Sequence, residues 1–444
     1  MISPETISSK KLMPTPVKQT TFSLPPARGF LLTMGSYHGT LAAARDLGKC
    51  GISVVLAESQ KHTLTTASRY ISKVEKAPDV EDHEAFIDWL LKFGAQNPGY
   101  VLYPTSDDMC WIIATQQEQL RQFFYLFQPP EESTYNILNK EKLFRLCQQL
   151  GIDCPETTIP KNQLDYETIV QTANYPVLVK PKTQAGMIVN LKGVICHSPS
   201  DLMKAFASIK NRFFYKKIIL DYDPDLECAI VQRFYKEAAE HIYSLAGFFD
   251  AKTNTYIVRA SEKVLQIPLQ VGVGLCFESR EVYEKPARQL RQLLEAVGYH
   301  GAFEAEFIHL ERENRFLLID LNSRFYGQMG FEINRNLPIA RLCYFAAIGD
   351  FERVRQLAAQ AENWNHSALY KYRILWMLNF LVTTKWLSGN MSRNQRKFWL
   401  DWSTTGTCYD PIYTTDDPKP LKAYIWERFL TFLKYPRSSF HIYF

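Results

Sequence analysis

The amino-acid sequence predicts an α/β protein with a Rossmann-like N-terminal domain, an α+β middle domain and a helical C-terminal extension. Three observations support this prediction. Strand and helix patterns alternate after residue 28, paired strand patterns dominate the middle of the chain, and the C-terminal part is rich in tryptophan and basic residues. We therefore divide the chain into a flexible tail (1–28), a Rossmann-like domain (29–130), the middle domain (131–360) and an aromatic-rich extension (361–444).

Composition and charge exclude several classes of protein. With 444 residues, 46% of them hydrophobic and 22% charged, the chain can bury a substantial core, which excludes a wholly disordered or collagen-like protein. The net charge of +5 is uneven, because residues 1–28 carry +3 and residues 371–444 carry +6, so the body between them is slightly acidic. A body of this kind does not fit a dedicated DNA-binding protein, and we expect no nucleic-acid partner.

The cysteines and the apolar segments indicate the compartment. The nine cysteines include no CxxC pair, which argues against a zinc ribbon or a thioredoxin-type site and favours a reducing environment. The polar N-terminal tail has no signal-peptide pattern. The apolar run at 374–384 is too short to span a membrane. We expect a cytoplasmic protein without membrane contact.

Residues 29–58 have the pattern of a strand, a loop, a helix and a second strand. The apolar run at 29–34 is followed by Gly35 to Gly39, a helical stripe and another apolar run at 53–57. The glycine spacing differs from GxGxxG, so it does not favour a dinucleotide site. A further strand at 101–103 leads into the polar loop 104–108.

Open α/β sheets bind ligands at the carboxyl ends of their strands, so the loops after Met34 and Tyr103 are expected to contact substrate. Together with Arg324 from a later hairpin, the candidates are Ser36, His38, Thr105, Ser106 and Asp107. A second interpretation needs no substrate, because Ser106 or Asp107 can cap the helix that follows. Both interpretations can hold together.

Two lysines close the apolar strand predicted at 175–182. Lys180 ends a Pro-Val-Leu-Val run, and a charged group at that place needs an anionic partner if it is buried. Together with Lys182 and the small-residue loop at Gly186, it predicts a cradle for phosphate groups. Lys140, at the start of an amphipathic helix, is by itself typical of a solvated residue.

The strand predicted at 228–234 enters a polar turn. Its end, with Val231, Gln232 and Phe234, can present backbone N–H and C=O groups to the edge of an adenine ring. Glu237 or Glu240 would then accept hydrogen bonds from ribose hydroxyls. The alternative for both acids is a solvated charge in a surface loop.

A hairpin is predicted for residues 302–322, with its turn at 311–314. A turn at that place sets Glu306 within about one residue of Asp320 on the opposite strand, while Asn322 lies on the same face as Asp320. Three oxygen ligands of this kind suit Mg²⁺ carried with nucleotide phosphates, and Arg324 can clamp a phosphate or carboxylate. The alternative is an exposed strand face with ordinary charges.

The order of these features resembles the ATP-grasp superfamily over residues 130–345. The segments that carry the resemblance are Asn139-Lys140, Tyr175 to Pro181, Val231-Gln232, Phe303 to Glu306 and Ile319 to Arg324. The resemblance implies a two-lobed ATP-grasp domain behind a Rossmann-like domain. Two features depart from the family: Asp320 stands where Glu is common, and the loop at Gly186 has fewer glycines.

The resemblance also implies roles for individual residues. Lys140 and Lys180 would bind the phosphates of ATP, and Gln232 with its neighbours would line the adenine pocket. Glu240 would hold ribose. Mg²⁺ would bind to Glu306, Asp320 and Asn322, and Arg324 would contact the phosphorylated intermediate. The chemistry implied is phosphoryl transfer from ATP to an acid, followed by displacement of the phosphate by an amine, which needs no covalent enzyme nucleophile.

Within the superfamily, the layout is similar to the carboxylate–amine ligases that include D-aspartate ligase, and also to the mycosporine-glycine synthases, which join glycine to 4-deoxygadusol. The first likeness predicts a second arginine near Arg324, for which Arg335 and Arg341 are the nearest in sequence. The second predicts donors for ring hydroxyls. The resemblance thus implies small-molecule acid and amino-acid substrates, with a homodimer left open. A non-catalytic ATP-binding scaffold is the remaining alternative.

The C-terminal extension is predicted to be helical and to pack on the ATP-binding domain or on a partner subunit. Residues 371–444 contain five of the eight tryptophans. Their apolar stripe at 375, 378, 382 and 386 is typical of core packing. A membrane-surface anchor is the alternative for this basic, aromatic segment.

Overall fold

The computed structural model describes residues 24–161, 163–187, 192–212, 215–239, 241–267, 272–365 and 368–434. Residues 1–23 of the predicted tail and Glu240 lie outside these ranges. The described part is a mixed α/β protein, which confirms the predicted class.

The N-terminal region is a parallel sheet in the order β3-β2-β1-β4-β5 with helices packed against it. Successive residues of β1 alternate between two cores, since Phe30 and Leu32 pack with α1 while Leu31 packs with α2 and α3. This explains why the strand reads as a continuous apolar run. The elements are β1 (Gly29–Leu32), α1 (His38–Gly48), β2 (Val54–Glu58), β3 (Lys73–Lys76), α2 (His83–Gln96), β4 (Tyr100–Leu102), α3 (Asp107–Thr115), α4 (Gln117–Leu120) and β5 (Phe124–Leu126).

A smaller antiparallel sheet in the order β6-β9-β7-β8 follows. Val177 and Val179 of β7 pack with Val231 of β9 into a core, so the intervening positions Leu178 and Lys180 face the other way. The elements are α5 (Glu131–Leu138), α6 (Lys140–Gln149), β6 (Thr157–Thr158), α7 (Gln163–Thr172), β7 (Val177–Lys180), β8 (Val194–Cys196), α8 (Pro199–Arg212), α9 (Lys217–Tyr222) and β9 (Ile230–Arg233).

The largest sheet has the order β14-β13-β10-β11-β12-β15-β16. One face is apolar and packs on α10, with Phe303 and Phe307 of β13 against Leu290 and Leu293. The other face is polar toward its β14 edge. The elements are β10 (Ile242–Asp250), β11 (Thr255–Ile267), β12 (Val273–Arg280), α10 (Glu284–Ala296), β13 (Gly301–Leu310), β14 (Arg315–Asn322), α11 (Met329–Asn334), α12 (Ile339–Ala347) and α13 (Phe351–Glu362).

The C-terminal extension is not purely helical, which corrects the prediction. Residues 370–373 pair with β12, and residues 407–409 pair with that added strand. Side chains of the strand at 370–373 alternate between its two faces, as the strand geometry requires. Tyr372 packs in an aromatic cluster on one face, while Lys371 and Arg373 on the other face donate to backbone oxygens of 402, 403 and 409. The elements are β15 (Tyr370–Arg373), α14 (Leu375–Leu387), α15 (Arg393–Thr404), β16 (Thr407–Tyr409) and α16 (Lys419–Lys434).

The extension is attached to the N-terminal region through α1. Arg45 of α1 donates to Asp417 at 3.0 Å and to the carbonyl oxygens of Pro411 and Ile412, and this contact is buried. A buried guanidinium with this many acceptors fixes the segment that leads into α16. Among the described helices, none is long and apolar enough to cross a membrane.

Candidate active site

A cavity of about 550 Å³ lies where the three sheets meet. Its walls are the loops after β1 and β4, the small sheet and the polar face of the large sheet, and its size is within the range of ligand pockets. It brings together most of the residues singled out from the sequence. These are Ser36, His38, Thr105, Ser106, Asp107, Lys140, Lys180, Gln232, Phe234, Glu306, Asp320, Asn322 and Arg324.

Four predicted residues do not line this cavity, namely Lys182, Gly186, Val231 and Glu237. Lys182 is buried and forms an ion pair with Glu141 at 2.8 Å, so the prediction that it holds phosphate is not supported. The loop carries Lys182 away from the face that Lys180 points into, toward α6. Val231 faces the core behind its strand, and the side chain of Glu237 is exposed.

Gly186 has a structural part to play beside the cavity. Its φ of +68° favours glycine, and an added Cβ would meet Ile219 at 2.5 Å. Its N–H donates to Asp108 Oδ1 at 2.9 Å, which ties the loop after β7 to the N-terminal region. Its neighbours Gln184 and Met187 line the cavity.

The hairpin sets two carboxylates directly opposite each other, as the sequence predicts. Glu306 of β13 pairs with Asp320 of β14 in the sheet register. Lys263 donates to Glu306 at 2.6 Å, and Lys140 donates to Asp320 at 2.5 Å. Burial alone would raise both pKa values, but Lys263 holds the pKa of Glu306 below its usual value and Lys140 holds the pKa of Asp320 far below. Both side chains are therefore ionised at neutral pH.

A third carboxylate, Glu304, lies on the same face of β13 and was not singled out in the sequence. It is buried, pairs with Asn322 in the register, and accepts hydrogen bonds from the Asn322 amide at 2.9 Å and from Gln328. Burial and the charge of Glu306 raise its pKa to about 7. The spacing of two residues that linked Asp320 with Asn322 also links Glu304 with Glu306, so the signal was present in the sequence.

The two lysines sit on separate elements that converge on the cavity. Asn139 accepts from the backbone N–H groups of 141 and 142 and so starts α6, which places Lys140 at the first helical position. Lys180 ends β7. Burial, and then the like charge of Lys140, lower the pKa of Lys180 to about 8. These two cations form a positive wall beside the carboxylates.

The strand β9 and three isoleucines form a less charged part of the cavity. Gln232 accepts from Lys180 Nζ at 3.5 Å and donates to Thr157 at 3.1 Å. Phe234 follows at the end of β9. The apolar lining here consists of Ile242, Ile308 and Ile319. An apolar slot of this kind at the end of a strand is a suitable place for a flat heterocyclic ring.

The donor set of the hairpin fits Mg²⁺ shared with a ligand. Among the described residues, no group of three or more His, Cys, Asp and Glu side chains is arranged to hold a metal by itself. Glu306, Asp320 and Asn322 offer two ionised carboxylates and an amide oxygen on one cavity face. Such a partial oxygen set is typical of Mg²⁺ that is completed by substrate phosphates and water.

Arg324 connects the hairpin to the loop after β4. Its guanidinium donates to Asp107 at 2.6 Å and to Asn322 Oδ1 at 2.9 Å. Burial alone would lower its pKa, but Asp107 raises it, so Arg324 stays charged. Ser106 accepts from the N–H of Met109 at 3.2 Å, so the capping role is present at a residue that also lines the cavity.

The two arginines that follow Arg324 most closely in sequence do not lie beside it. Arg335 pairs with Glu332 at 3.0 Å, and Arg341 pairs with Asp46 at 2.8 Å; neither lines the cavity. Arg428 of α16 lines it instead. Nearness in sequence was a poor guide because α11 and α12 lead the chain away toward α1.

Comparison with solved structures decides the fold. An L-amino acid ligase from Bacillus licheniformis superposes with a TM-score of 0.54 at 14% identity, over 73% of this chain and 75% of that one. N5-carboxyaminoimidazole synthetase from Staphylococcus aureus, complexed with ADP, gives 0.54 at 13% identity, over 74% and 79%. The chain has the ATP-grasp fold.

A third ATP-grasp structure agrees with these two. The biotin carboxylase domain of 2-oxoglutarate carboxylase from Hydrogenobacter thermophilus, in complex with MgADP and bicarbonate, has a TM-score of 0.55 at 14% identity, over 72% of this chain and 69% of that one. No family model matches the sequence, and no curated protein matches it significantly. The similarity is therefore one of fold, at low sequence identity.

Proposed function

We propose that this protein is an ATP- and Mg²⁺-dependent ligase that forms a C–N bond between a small acid and an amino acid, with release of ADP and phosphate. One observation carries the proposal. In a protein with the ATP-grasp fold, a single cavity unites Lys140 and Lys180 with the opposed pair Glu306 and Asp320 and with Arg324. This is the inventory needed for phosphoryl transfer by charge neutralisation and positioning.

The proposed position of the nucleotide is based on the apolar part of the cavity near β9 and on its positively charged part at Lys140 and Lys180. The adenine ring is proposed to lie in the apolar slot beside Gln232 and Phe234, at the end of β9. The triphosphate then extends toward Lys140 and Lys180. These lysines are preorganised, since β7 and the start of α6 are joined by the hydrogen bond from Lys140 N to Lys182 O at 2.7 Å.

Glu306, Asp320 and Asn322 would hold Mg²⁺, which supplies charge neutralisation for phosphate oxygens when it is bound. The shorter side chain of Asp320 still reaches the cavity, where it already contacts the ammonium group of Lys140. The departure from Glu at this position is therefore compatible with a metal-binding role.

The reaction proceeds in two displacements. An oxygen of the acid attacks the γ-phosphorus of ATP, the bond to the β,γ-bridging oxygen breaks, and ADP leaves. The amine nitrogen then attacks the activated carbon, the C–O bond breaks, phosphate leaves and the nitrogen loses a proton. Arg324 would neutralise the phosphorylated intermediate, and its contacts with Asp107 and Asn322, between the hairpin and the loop after β4, support this role.

The acid is proposed to bind between the loops after β1 and β4, near Ser36, His38 and Thr105. Two classes of acid substrate are considered. A carboxylic acid would make the protein a carboxylate–amine ligase of the D-aspartate-ligase kind, whereas an enol such as 4-deoxygadusol with glycine would make it a mycosporine-glycine synthase.

A nucleotide assay tests the proposal. Purified protein with MgATP is incubated with a panel of acids, 4-deoxygadusol among them, each paired with glycine or D-aspartate, and the products are identified by ³¹P NMR. We expect ADP and phosphate only when both an acid and an amine are present. AMP and pyrophosphate would contradict the mechanism. Unimpaired function of Asp320→Ala in cells, without any turnover in vitro, would support a scaffold instead.

A further inference from the structure

We infer that the outer face of α16 docks on an anionic lipid surface. The apolar part of this face, called the α16 stripe, consists of Trp426, Phe429, Leu430 and Leu433. Docking of this kind does not depend on the proposed function, because it concerns where the protein is held. Its basis is the spacing and exposure of the apolar residues and the charges that accompany them on the same helix.

The four residues of the α16 stripe lie on one side of the helix. Their positions have the spacing i, i+3, i+4 and i+7 of a single helical face. Each side chain is about half exposed, from 47% for Leu430 to 60% for Leu433. Contiguous apolar surface of this kind, next to basic residues, is typical of a site that meets a partner or a membrane.

The opposite side of α16 is occupied by the protein itself. Tyr424 is buried and contacts the rings of His38 and Trp376, with 5.8 Å and 6.3 Å between ring centroids. Leu421 packs against the core that α14 forms with the large sheet. Because α16 is held by this side, the α16 stripe faces away from α1 and α14.

The apolar stripe predicted in α14 behaves differently. Its residues Leu378 and Val382 are buried, with 1% and 4% exposure, and belong to the core beside β12. Core packing therefore accounts for the middle of α14. It does not account for the α16 stripe, for which the alternative of a membrane-surface anchor applies.

The charges on the outer face of α16 are all positive. Lys419 and Lys422 are exposed and precede the α16 stripe on the same helical face. The one acidic residue in the sequence of α16 is Glu427, which lies beside Ser36 at the cavity and outside the face that carries the stripe. An apolar strip with lysines at one end complements anionic headgroups.

The acids that precede α16 are already paired. Asp416 forms an ion pair with Lys49 at 3.1 Å, and Asp417 forms one with Arg45 at 3.0 Å. They bind the helix start to α1. The charges of Lys419 and Lys422 are thus not cancelled by a printed ion pair on their own segment, and both ammonium groups can meet lipid phosphates.

Charge also favours lipid over a second copy of this chain. In a two-fold contact along the α16 stripe, each lysine-bearing face would meet another copy of itself. Residues 371–444 carry a net charge of +6, so two such extensions repel each other, whereas an anionic surface attracts them. The slightly acidic body is repelled by the same surface, which orients the protein with α16 toward the lipid.

The residue types suit the depth that each would occupy. A tryptophan ring is favoured at the level of the headgroups, while phenylalanine and leucine side chains enter the acyl boundary. Lysine stems can cover apolar surface while their ammonium groups stay among the phosphates. The α16 stripe with its two lysines supplies all three kinds of contact along one helix.

Co-sedimentation of the full-length protein with vesicles tests this docking. One set of vesicles is phosphatidylcholine alone, and in the other a third of it is replaced by phosphatidylserine. We expect the protein to bind the anionic vesicles at low salt and to bind the neutral ones at least about tenfold more weakly, because each lysine near an anionic surface contributes about fivefold.

Matched variants separate the apolar and the charged contributions. Trp426→Ser combined with Phe429→Ser should lower vesicle binding by at least about tenfold, because two large apolar side chains then have no counterpart to bury. Lys419→Gln combined with Lys422→Gln should lower binding to anionic vesicles by about 10–30-fold and leave binding to neutral ones unchanged. Trp426→Phe should bind within about threefold of wild type. Leu164→Ser, at a position of α7 that is 70% exposed, is the control and should bind normally.

Thermal melts should be the same for wild type and all variants, because the substituted side chains are exposed. If the apolar variant melts lower, the lysine variant decides alone. No binding of the wild type to anionic vesicles, equal binding to both kinds of vesicle, or normal binding by the lysine variant overturns the inference. A dimer in light scattering that Trp426→Ser with Phe429→Ser dissociates would assign the α16 stripe to a second copy instead. None of these results bears on ADP release, so the proposed function stands or fails separately.

Discussion

Replacing Lys180 by methionine is expected to stabilise the ligand-free protein and to weaken nucleotide binding at the same time. Lys180 ends a buried strand and faces the cavity. Burial and the like charge of Lys140 lower its pKa from 10.5 to about 8, and the carboxylates of Asp320 and Glu306 oppose this only in part. The charged form of Lys180 is thus destabilised in the ligand-free protein, as expected of a group that binds an anionic ligand.

The magnitude follows from the linkage between pKa and stability. A lysine whose pKa is lower in the folded state makes the unfolded state bind more protons between pH 8 and 10.5, so wild-type stability rises across that window. Below pH 8 Lys180 is charged in both the folded and the unfolded state. The pKa difference between these states then destabilises the folded protein by about 3 kcal/mol at most. Because the side chain opens onto a solvent-accessible cavity, we expect Lys180→Met to gain about 1–2 kcal/mol at pH 7.

Urea unfolding at pH 7 and pH 10 and calorimetry with MgADP measure the two effects. The gain in stability should be present at pH 7 and largely gone at pH 10, while affinity for MgADP at pH 7 should fall by about 10–100-fold, the value of a charge-assisted hydrogen bond. Lys204→Met, at an exposed position of α8, is the matched control and should alter neither. A destabilised Lys180→Met would contradict the cost assigned to the buried ammonium group, and normal MgADP binding by this variant would contradict its role toward phosphate.

Three further outcomes are expected. Asp320→Glu should keep ADP release, whereas Asp320→Asn should reduce kcat/KM by about 100-fold or more, the cost of one electrostatic partner at a reacting phosphate; equal activities would contradict the metal role. Because the pKa of Glu304 is raised to about 7, wild-type stability should fall as pH rises from 4.5 to 7, and Glu304→Gln should flatten this fall in thermal melts. Arg45→Ala should cost about 3–5 kcal/mol in urea unfolding, because it leaves Asp417 buried without its cation; a loss below 1 kcal/mol would show that the extension is held elsewhere.

The hairpin could be predicted in detail from the sequence because its geometry is local. Once the turn at 311–314 was identified, the antiparallel register placed Glu306 opposite Asp320, and the structure has that pair. The same two-residue period would have added Glu304. In the N-terminal region, the loops after strands were expected to meet a ligand, and both loops do line the cavity.

Contacts between distant segments could not be predicted in this way. Lys263 reaches Glu306 across the intervening strand β10, and Arg428 reaches the cavity from more than one hundred residues beyond the hairpin. No periodic pattern in the sequence encodes such a pairing. Lys182 shows the opposite case, since its spacing suggested the site but the chain turns and pairs it with Glu141.

Transfer of an isotope from the acid to phosphate shows whether an oxygen of the acid attacks the γ-phosphorus of ATP. An acid labelled with ¹⁸O at the reacting group is incubated with MgATP, the amine and the protein, and the released phosphate is analysed by mass spectrometry. If an acid oxygen attacks the γ-phosphorus and the amine later displaces it, each phosphate carries one ¹⁸O, and ADP is the nucleotide product. Phosphate without ¹⁸O in the presence of coupled product, or label recovered in AMP, would contradict the account.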